Sequence, residues 1–231
     1  DYTLNLYSNH ASTYDFYSLR YVFAGAEKLK PETFANWSEK FGIRIFEGYG
    51  LTEASPALCS NTPMHCKKGT VGRFLPKINY QLKPVEGLSE GGRLWIKGPN
   101  VMQGYILHEK PNHIVPPKNH WHDTGDIVSI DVDGYVSILD RAKRFSKIAG
   151  EMILLSAVEK VLASALPRFG HAVVSSPCNK KGEQLTLYTE DKTLTKSALL
   201  KVFRDAKVSD LWIPKNIKYR DLPRLPTGKV D

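Results

Sequence analysis

Cysteine is scarce in this sequence, and its copies are not placed as disulfide partners or as a complete metal site. The 231 residues contain only Cys59, Cys66 and Cys178, which form no Cys-x-x-Cys pair and leave one cysteine over in any pairing. Cys59, His65 and Cys66 lie close in sequence, but no fourth ligand stands at a useful spacing for zinc. We therefore expect a protein from a reducing, cytoplasmic compartment.

Long hydrophobic runs are also missing. No apolar stretch approaches the roughly 20 residues that cross a bilayer, so we expect a soluble chain without a transmembrane segment. The hydrophobic content of 42% and the charged content of 24% are ordinary for a globular protein. At this length the chain has room for two or three compact units with cores of their own.

Residues 1–139 lack any excess of positive or negative charge, whereas residues 140–231 carry a positive excess. Residues 1–139 contain 14 basic and 14 acidic residues, whereas residues 140–231 contain 18 basic and 10 acidic residues, which accounts for the whole net charge of +8. Such a segment attracts a polyanion, for example nucleotide phosphates, an acidic carrier protein or anionic lipid. Because no nucleic-acid-binding motif occurs and the basic residues are scattered, we do not expect a nucleic-acid partner.

The most informative motif is Gly48-Tyr49-Gly50-Leu51-Thr52-Glu53. Glycine permits a close approach of backbone and ligand, and the ring of Tyr49 offers a flat face for stacking. The hydroxyl of Thr52 can donate to a phosphate oxygen, and the carboxylate of Glu53 can hold a hard cation such as Mg²⁺. This order of groups suits a nucleoside triphosphate, although a glycine-rich turn before a helix is also common punctuation.

The first 75 residues have an α/β pattern. Short β-rich runs at Leu19–Ala24 and Arg44–Glu47 flank Pro31–Phe41, which reads as a helix with proline at its first position and Gly42 past its end. A β–helix–β arrangement predicts a parallel sheet whose strand ends carry ligand loops.

The remaining chain predicts two further segments. Residues 76–140 read as all-β, a small barrel or bent sheet, with a hairpin turn at Asp133-Gly134. Residues 141–231 read as a compact α+β unit, in which Ser156 and Glu159 form a capping box at the start of a helix that runs to about Leu166. A second helix is expected at Thr195–Lys207. The expected strands are Asn79–Lys83, Arg93–Lys97, Ile127–Asp131, Tyr135–Leu139, His171–Ser176, Gln184–Thr189 and Ile217–Asp221.

Six further motifs follow the first in a fixed order along almost the whole chain from about Leu19. They are Gly92-Arg-Leu-Trp-Ile-Lys-Gly98, Gly104-Tyr105, Asp123-Thr-Gly-Asp126, Asp140-Arg-Ala-Lys143, Lys147-Ile-Ala-Gly-Glu-Met152 and Pro226-Thr-Gly-Lys229. The series resembles the C-terminal half of the adenylate-forming superfamily, which includes acyl-CoA synthetases, luciferases and peptide-synthetase adenylation domains. The variants at residues 24–29 and 141–152 look most similar to the bifunctional acyl–acyl carrier protein synthetase/2-acylglycerophosphoethanolamine acyltransferase.

This resemblance implies that a carboxylate attacks the α-phosphate of ATP with Mg²⁺ present, after which a thiol displaces AMP. It assigns Lys229 and Thr52 to catalysis, Glu53 to the metal, Lys143 to a hinge near the start of a mobile C-terminal domain, and Gly150 to the phosphopantetheine path. It assigns a larger set to ATP or AMP binding: Gly25, Ala26, Glu27, Glu47, Gly48, Tyr49, Gly50, Thr52, Asp126 and Arg141.

The resemblance also implies partners. A fatty acid would be activated and passed to acyl carrier protein and then to a lysophospholipid, through an acyltransferase domain outside this chain, at the cytoplasmic side of a bacterial inner membrane. Two alternatives stay open: an acyl-CoA ligase with CoA as acceptor, or a non-catalytic module that binds nucleotide or carrier protein.

The sequence departs from the superfamily pattern in three places. Arg93 stands where Glu is usual, and Asp140 stands where Gly commonly precedes the arginine. The Ser/Thr/Gly-rich phosphate loop that ends in lysine is missing, so we expect the chain to be a fragment that is inactive in isolation.

Overall fold

The computed structural model describes residues 1–86, 88, 90–178 and 182–224. Two compact units divide between Leu139 and Asp140, and the short segment that begins at Val85 belongs with the second unit. Each unit contains buried apolar clusters of its own. The expected division at residues 75 and 140 into three segments, with a hinge at Lys143, stays a prediction.

The first unit opens with a mixed sheet and two helices. Strands β1 and β2 are parallel, whereas β3 and β4 continue the sheet in antiparallel fashion in the order β1-β2-β3-β4. The predicted parallel β–helix–β arrangement is therefore confirmed. The elements are α1 (Tyr2–His10), β1 (Val22–Ala24), α2 (Pro31–Phe41), β2 (Ile45–Gly50), β3 (Ala57–Ser60) and β4 (Arg73–Phe74).

Helix α2 begins and ends where its proline and glycine residues predict. Pro31 occupies the first helical position, where its missing N–H breaks no helical hydrogen bond, and Gly42 ends the helix in the left-handed region with φ 65°. On its inner face Trp37 is 2% exposed, stacks on Phe16 with the ring centroids 5.0 Å apart, and donates through Nε1 to the carbonyl oxygen of Leu4 at 2.8 Å. These contacts fix α2 against α1 and against the segment that carries Phe16.

A second sheet completes the first unit. Its strands lie in the order β10-β9-β6-β5, and a two-stranded hairpin, β7 with β8, stands apart. Among the described residues this sheet is open, so the bent-sheet alternative holds and the closed barrel is wrong. The bounds are β5 (Asn79–Lys83), β6 (Gly92–Lys97), β7 (Tyr105–Ile106), β8 (Ile114–Val115), β9 (His122–Ile130) and β10 (Val136–Arg141).

Strand β9 starts five residues earlier than its hydrophobic pattern predicts. The register of β6 and β9 shifts between Arg93 and Trp95, which marks a bulge, and the ladder continues from there to the pair Ile96 and His122. The bulge lets β9 run on through the Asp-Thr-Gly-Asp motif, which places Asp126 in a strand rather than in a turn.

One buried cluster joins the two sheets of the first unit. Leu58 of β3, Leu94 of β6 and Val128 of β9 are all fully buried in it. At roughly 25 cal/mol per Å² of buried apolar surface, each such side chain stabilises the fold by about 1.5–3 kcal/mol. This packing holds the end of β2 against the middle of β9.

The second unit is a compact α+β fold, as predicted. Its sheet has the order β12-β11-β14-β13, and β15 pairs with β14 in parallel. Thr195 caps α4 by accepting a hydrogen bond from the N–H of Ala198. The elements are β11 (Phe145–Ile148), β12 (Glu151–Leu154), α3 (Leu155–Ala165), β13 (His171–Cys178), β14 (Gly182–Thr189), α4 (Lys196–Asp205) and β15 (Asn216–Tyr219).

The predicted capping box at α3 is wrong. The helix begins at Leu155, so Ser156 lies inside the first turn, and no side chain caps it from the N-cap position. The N–H of Ser156 instead donates to the carboxylate of Asp140 at 3.3 Å. Glu159 turns toward the sheet, where its Oε1 accepts from Arg144 at 2.6 Å and from the N–H of Val173 at 2.9 Å.

All four helices within the described ranges are short, at 9 to 11 residues. None of them has the length and apolar character that crossing a bilayer requires.

Candidate functional site

The central contact of the site joins Tyr49 at the end of β2 to Asp126 in β9. The hydroxyl of Tyr49 donates to Oδ2 of Asp126 at 2.5 Å, and the Asp126 residue is only 4% exposed. Burial raises the pKa of the Tyr49 hydroxyl well above its ordinary value, and the neighbouring Asp126 charge raises it further. Tyr49 therefore stays protonated and remains a hydrogen-bond donor.

The backbone around Asp126 is fixed by Thr124, a residue to which the sequence analysis assigned no role. The N–H of Asp126 donates to Oγ1 of Thr124 at 3.1 Å, and that hydroxyl donates to the carbonyl oxygen of Leu94 at 2.9 Å. Gly125 between them adopts a φ of 71°, which a residue with a side chain rarely takes. The Thr-Gly pair thus sets the direction of the Asp126 side chain.

The structure explains why glycine flanks Tyr49 at positions 48 and 50. A Cβ on Gly50 would lie 1.9 Å from the carbonyl oxygen of Pro56, and one on Gly48 would lie 3.2 Å from that of Cys59. The neighbouring strand β3 therefore approaches these glycines closely. A Cβ on Gly25 would meet only the carbonyl oxygen of Gly48, at an ordinary 3.5 Å.

The loop after β1 lies beside the end of β2. Ala24 pairs with Glu47 in the parallel ladder, so Gly25, Ala26 and Glu27 follow directly at the carboxyl edge of the sheet. Ala26 has a φ of 67°, in the left-handed region that disfavours side chains, and such strained residues concentrate at functional sites.

Glu47 is a half-buried carboxyl at this edge. One of its oxygens accepts from the N–H of Leu29 at 3.4 Å. Burial raises the pKa of the Glu47 carboxyl, while the Leu29 hydrogen bond and the charge of Lys28 oppose that shift. Because this hydrogen bond holds Glu47 to the loop after β1, Glu47 has a structural role in addition to its predicted role in nucleotide binding.

Thr52 and Glu53 start a short 3₁₀ turn directly after β2. Oε1 of Glu53 accepts a hydrogen bond from the hydroxyl of Tyr105 at 2.8 Å, and its carbonyl oxygen accepts from the N–H of Met102 at 2.8 Å. Tyr105 belongs to the Gly-Tyr motif, which was recognised in the sequence without a role.

No cluster of three or more metal-binding side chains occurs in the part of the chain that the structure describes. The donor set at Glu53 is a single carboxylate. This fits Mg²⁺, which commonly binds one or two carboxylates and completes its shell with waters and substrate phosphates.

Three other predicted site residues, which the structure describes, lie in the second unit. Arg141 ends β10, and its N–H donates to Asp140 at 2.8 Å. Lys143 is exposed in the following turn. Gly150, with a φ of 87°, forms the two-residue turn between β11 and β12 together with Ala149. Lys229 lies outside the described residues.

Arg93 of β6, which stands where Glu is usual in the superfamily, forms an ion pair with Asp123 of β9. The guanidinium contacts both carboxylate oxygens, at 2.8 Å through Nε and 2.7 Å through the terminal nitrogen. The positive charge of Arg93 is therefore balanced by an acidic residue on the adjacent strand β9, which also carries Asp126.

Comparison with known proteins shows what this chain is similar to. The family described as AMP-binding enzyme matches residues 3–106. The chain is also similar to long-chain-fatty-acid–CoA ligases. It is 32% identical over 225 residues to the ligase of that name from Yersinia pestis, an alignment that covers 94% of this chain.

Two further comparisons support the fold of this chain. The peroxisomal OPC-8:0-CoA ligase 1 of Arabidopsis thaliana is 28% identical over 228 residues, covering 94% of this chain and 42% of that protein. The crystal structure of ATP-bound MatB from Rhodopseudomonas palustris superposes with a TM-score of 0.78 at 27% identity, over 99% of this chain and 47% of that chain. The predicted fold, the C-terminal part of an adenylate-forming enzyme, is confirmed.

The chain spans 40% of the length of the Yersinia relative. The activity, substrates and partners of the complete protein are therefore matters for proposal.

Proposed function

We propose that the complete protein is an ATP-dependent acid–thiol ligase that activates a fatty acid as its acyl-adenylate and then transfers the acyl group to a thiol. The observation that carries the proposal is the contact of Tyr49 with Asp126, which brings an aromatic ring at the end of β2 next to a buried carboxylate of β9. Those two groups suit the base and the sugar of a nucleotide.

The adenosine half of ATP would lie between the two loops at the carboxyl ends of β1 and β2. The ring of Tyr49 would cover one face of adenine, and the Gly25-Ala26-Glu27 loop would line the other. Asp126 would accept hydrogen bonds from the ribose hydroxyls, a task for which a carboxylate with two acceptor oxygens is well suited. Glu47 and the backbone of Gly48 and Gly50 would border the same pocket.

The first half-reaction brings two anions together, so it needs positive charge and positioning more than a proton-transfer group. Lys229 would supply a mobile point charge between the substrate carboxylate and the α-phosphate. Thr52 would donate to a phosphate oxygen. Glu53, held by Tyr105, would carry the Mg²⁺ that neutralises the triphosphate charge.

The second half-reaction would use residues near the start of the second unit. Arg141 would contact the ribose or the α-phosphate with its planar fork. Lys143 would serve as the pivot for a change between the two half-reactions, since a few exposed turn residues can absorb such a backbone change. Gly150 would border the path of the phosphopantetheine arm.

The thiol acceptor has two candidates. The names of the relatives from Yersinia pestis and Arabidopsis thaliana, both CoA ligases, support CoA. The motif variants at residues 24–29 and 141–152 support acyl carrier protein, with subsequent transfer to a lysophospholipid by a linked acyltransferase at the cytoplasmic face of the inner membrane. A non-catalytic module that only binds nucleotide is the remaining alternative, and an exchange assay excludes or establishes it.

The test separates the two half-reactions in the complete protein. Lys229→Ala should lower fatty-acid-dependent ATP–pyrophosphate exchange by about 10²-fold or more, because the charge between the two anions is lost. Thioester formation from supplied acyl-AMP should be retained. Lys118→Ala, which removes an exposed lysine in the first unit, is the control and should leave both rates unchanged.

Equal loss of both half-reactions in Lys229→Ala would contradict its role. Absence of any exchange in the complete wild-type protein would favour the non-catalytic alternative.

A further inference from the structure

The positive charge of the second unit is concentrated in one stretch. Residues 192–220 contain eight basic residues and two acidic ones, and α4 lies in the middle of this stretch. Outside this stretch, three basic side chains of the unit form ion pairs: Arg144 with Glu159 at 2.6 Å, Lys147 with Glu86 at 2.8 Å and Arg224 with Glu190 at 3.3 Å. The excess of basic over acidic residues in the second unit therefore lies mainly in residues 192–220.

We define the basic face of α4 as Lys196, Leu200, Lys201 and Arg204. Leu200 and Arg204 lie four and eight positions after Lys196, and Lys201 lies three positions before Arg204, so the four residues share one side of the helix. All of them are exposed. None of the three cations forms an ion pair with a described carboxylate. Leu200 is 39% exposed beside them, whereas Leu199 and Phe203 of the same helix are buried in the core.

The shape of this face argues against a small ligand and against a membrane. Small molecules bind in concave sites, but the exposed side of a packed helix is convex. An amphipathic helix binds a bilayer by inserting its apolar face, and the apolar face of α4 is already occupied by the core of the unit. Nucleic-acid surfaces interleave basic residues with stacking aromatics, and this face contains none.

Unpaired cations around an isolated exposed leucine match a protein interface, in which charges surround an apolar contact. We propose that the basic face of α4 docks an acidic carrier protein that bears the acceptor thiol. This rests on the proposed function, because a ligase needs an acceptor, and it selects the carrier protein as that acceptor. The charges would speed encounter and set orientation, while Leu200 would contact an apolar side chain of the partner.

The test compares two double variants of the complete protein with the same change in net charge. Lys201→Glu/Arg204→Glu reverses the basic face, and Lys110→Glu/Lys118→Glu reverses two exposed lysines of the charge-balanced first unit. The measured quantities are kcat/KM for thioester formation with an acidic, phosphopantetheine-bearing carrier protein, kcat/KM with CoA, and ATP–pyrophosphate exchange. Circular dichroism melting checks that each variant folds.

Reversal of the basic face should lower kcat/KM for the carrier about tenfold, since like charges then face each other, and added salt should narrow the difference. Transfer to CoA and pyrophosphate exchange should stay within about twofold of wild type, because neither uses a convex helix face. The control double variant should change none of the three quantities. Lys201→Ala/Arg204→Ala should show a smaller loss in the same direction.

Three results would overturn the inference. The first is equal loss in both double variants, which would indicate a non-specific charge effect. The second is a Lys201→Glu/Arg204→Glu variant that transfers the acyl group to the carrier protein as fast as the wild type. A wild-type enzyme that uses CoA alone would also overturn the inference, although the proposed ligase function would still stand. The third is a Lys201→Glu/Arg204→Glu variant that no longer binds phosphatidylglycerol vesicles, as the wild type does, but still transfers the acyl group to the carrier protein. This result would show that the basic face of α4 binds lipid.

If instead the wild type forms no acyl-adenylate, the proposed function fails and the docking surface is tested by titration of the carrier protein. A tenfold weaker complex for the Lys201→Glu/Arg204→Glu variant would support the surface. Equal affinities would refute it.

Discussion

The hydroxyl of Tyr49 and the carboxylate of Asp126 lie 2.5 Å apart although 77 residues separate them in the sequence. Because the Tyr49 ring is anchored at its hydroxyl end, its face has a defined orientation before any nucleotide binds. A ligand-binding group that is held in place in this way avoids the entropy cost of being ordered on binding.

Tyr49→Phe should separate the anchoring of the ring from its stacking. Loss of a hydrogen bond to a charged group should lower the free energy of unfolding by about 1.5–3 kcal/mol, measured by urea denaturation. The ring face remains, so the dissociation constant of AMP should rise less than in Tyr49→Ala, which also loses stacking worth about 1–3 kcal/mol. Equal AMP affinities for the Phe and Ala variants, by titration calorimetry, would show that the ring does not stack on the base.

Gly50→Ala should destabilise the first unit strongly. The added Cβ would lie 1.9 Å from the carbonyl oxygen of Pro56, so β2 and β3 would have to separate, at a cost of about 1–3 kcal/mol or more. Gly25→Ala is the matched control, because its Cβ would meet nothing closer than 3.5 Å, and the change should stay within about 1 kcal/mol. Similar unfolding midpoints for both variants would mean that the close approach at Gly50 is absent in solution.

Glu190→Gln should alter the pH dependence of stability in the second unit. The N–H of Gly170 donates to the Glu190 carboxylate at 2.9 Å, and this bond, followed by those from Leu222 and Arg224, holds its pKa below the ordinary value. The ionised form therefore stabilises the fold at pH values above the ordinary pKa, and that contribution is lost as the pH falls through the folded-state pKa.

The wild type should consequently lose more stability than Glu190→Gln between about pH 5 and about pH 3. The exposed Glu151 provides a control, Glu151→Gln, whose unfolding curve should follow that of the wild type. Parallel pH profiles for wild type and Glu190→Gln would show that the hydrogen bond contributes nothing in solution.

Local signals in the sequence predicted the elements that local physics controls. Pro31 and Gly42 marked the ends of α2, and the Asp133-Gly134 pair marked the turn between β9 and β10, because each residue fixes a backbone conformation by itself. The Gly-Tyr-Gly and Asp-Thr-Gly-Asp motifs identified the segments of β2 and β9 that the structure brings together.

Tertiary contacts decided the rest. The capping box failed because Glu159 reaches Arg144 and the backbone of Val173 instead of the helix end. The fit of Gly50 against Pro56 and the pairing of Arg93 with Asp123 depend on neighbours that are distant in sequence. The roles of Lys143, Gly150 and Lys229 stay predictions.

Calorimetric titration of the complete protein with AMP and with 2′,3′-dideoxy-AMP measures how much the ribose hydroxyls contribute to binding. If Asp126 accepts the ribose hydroxyls, the wild type should bind AMP at least about tenfold more tightly than the dideoxy analogue, since charge-assisted hydrogen bonds contribute about 1.5–3 kcal/mol. Asp126→Asn, checked for folding by its melting curve, should lose most of that preference. An Asp126→Asn variant that prefers AMP as strongly as the wild type does would contradict the account.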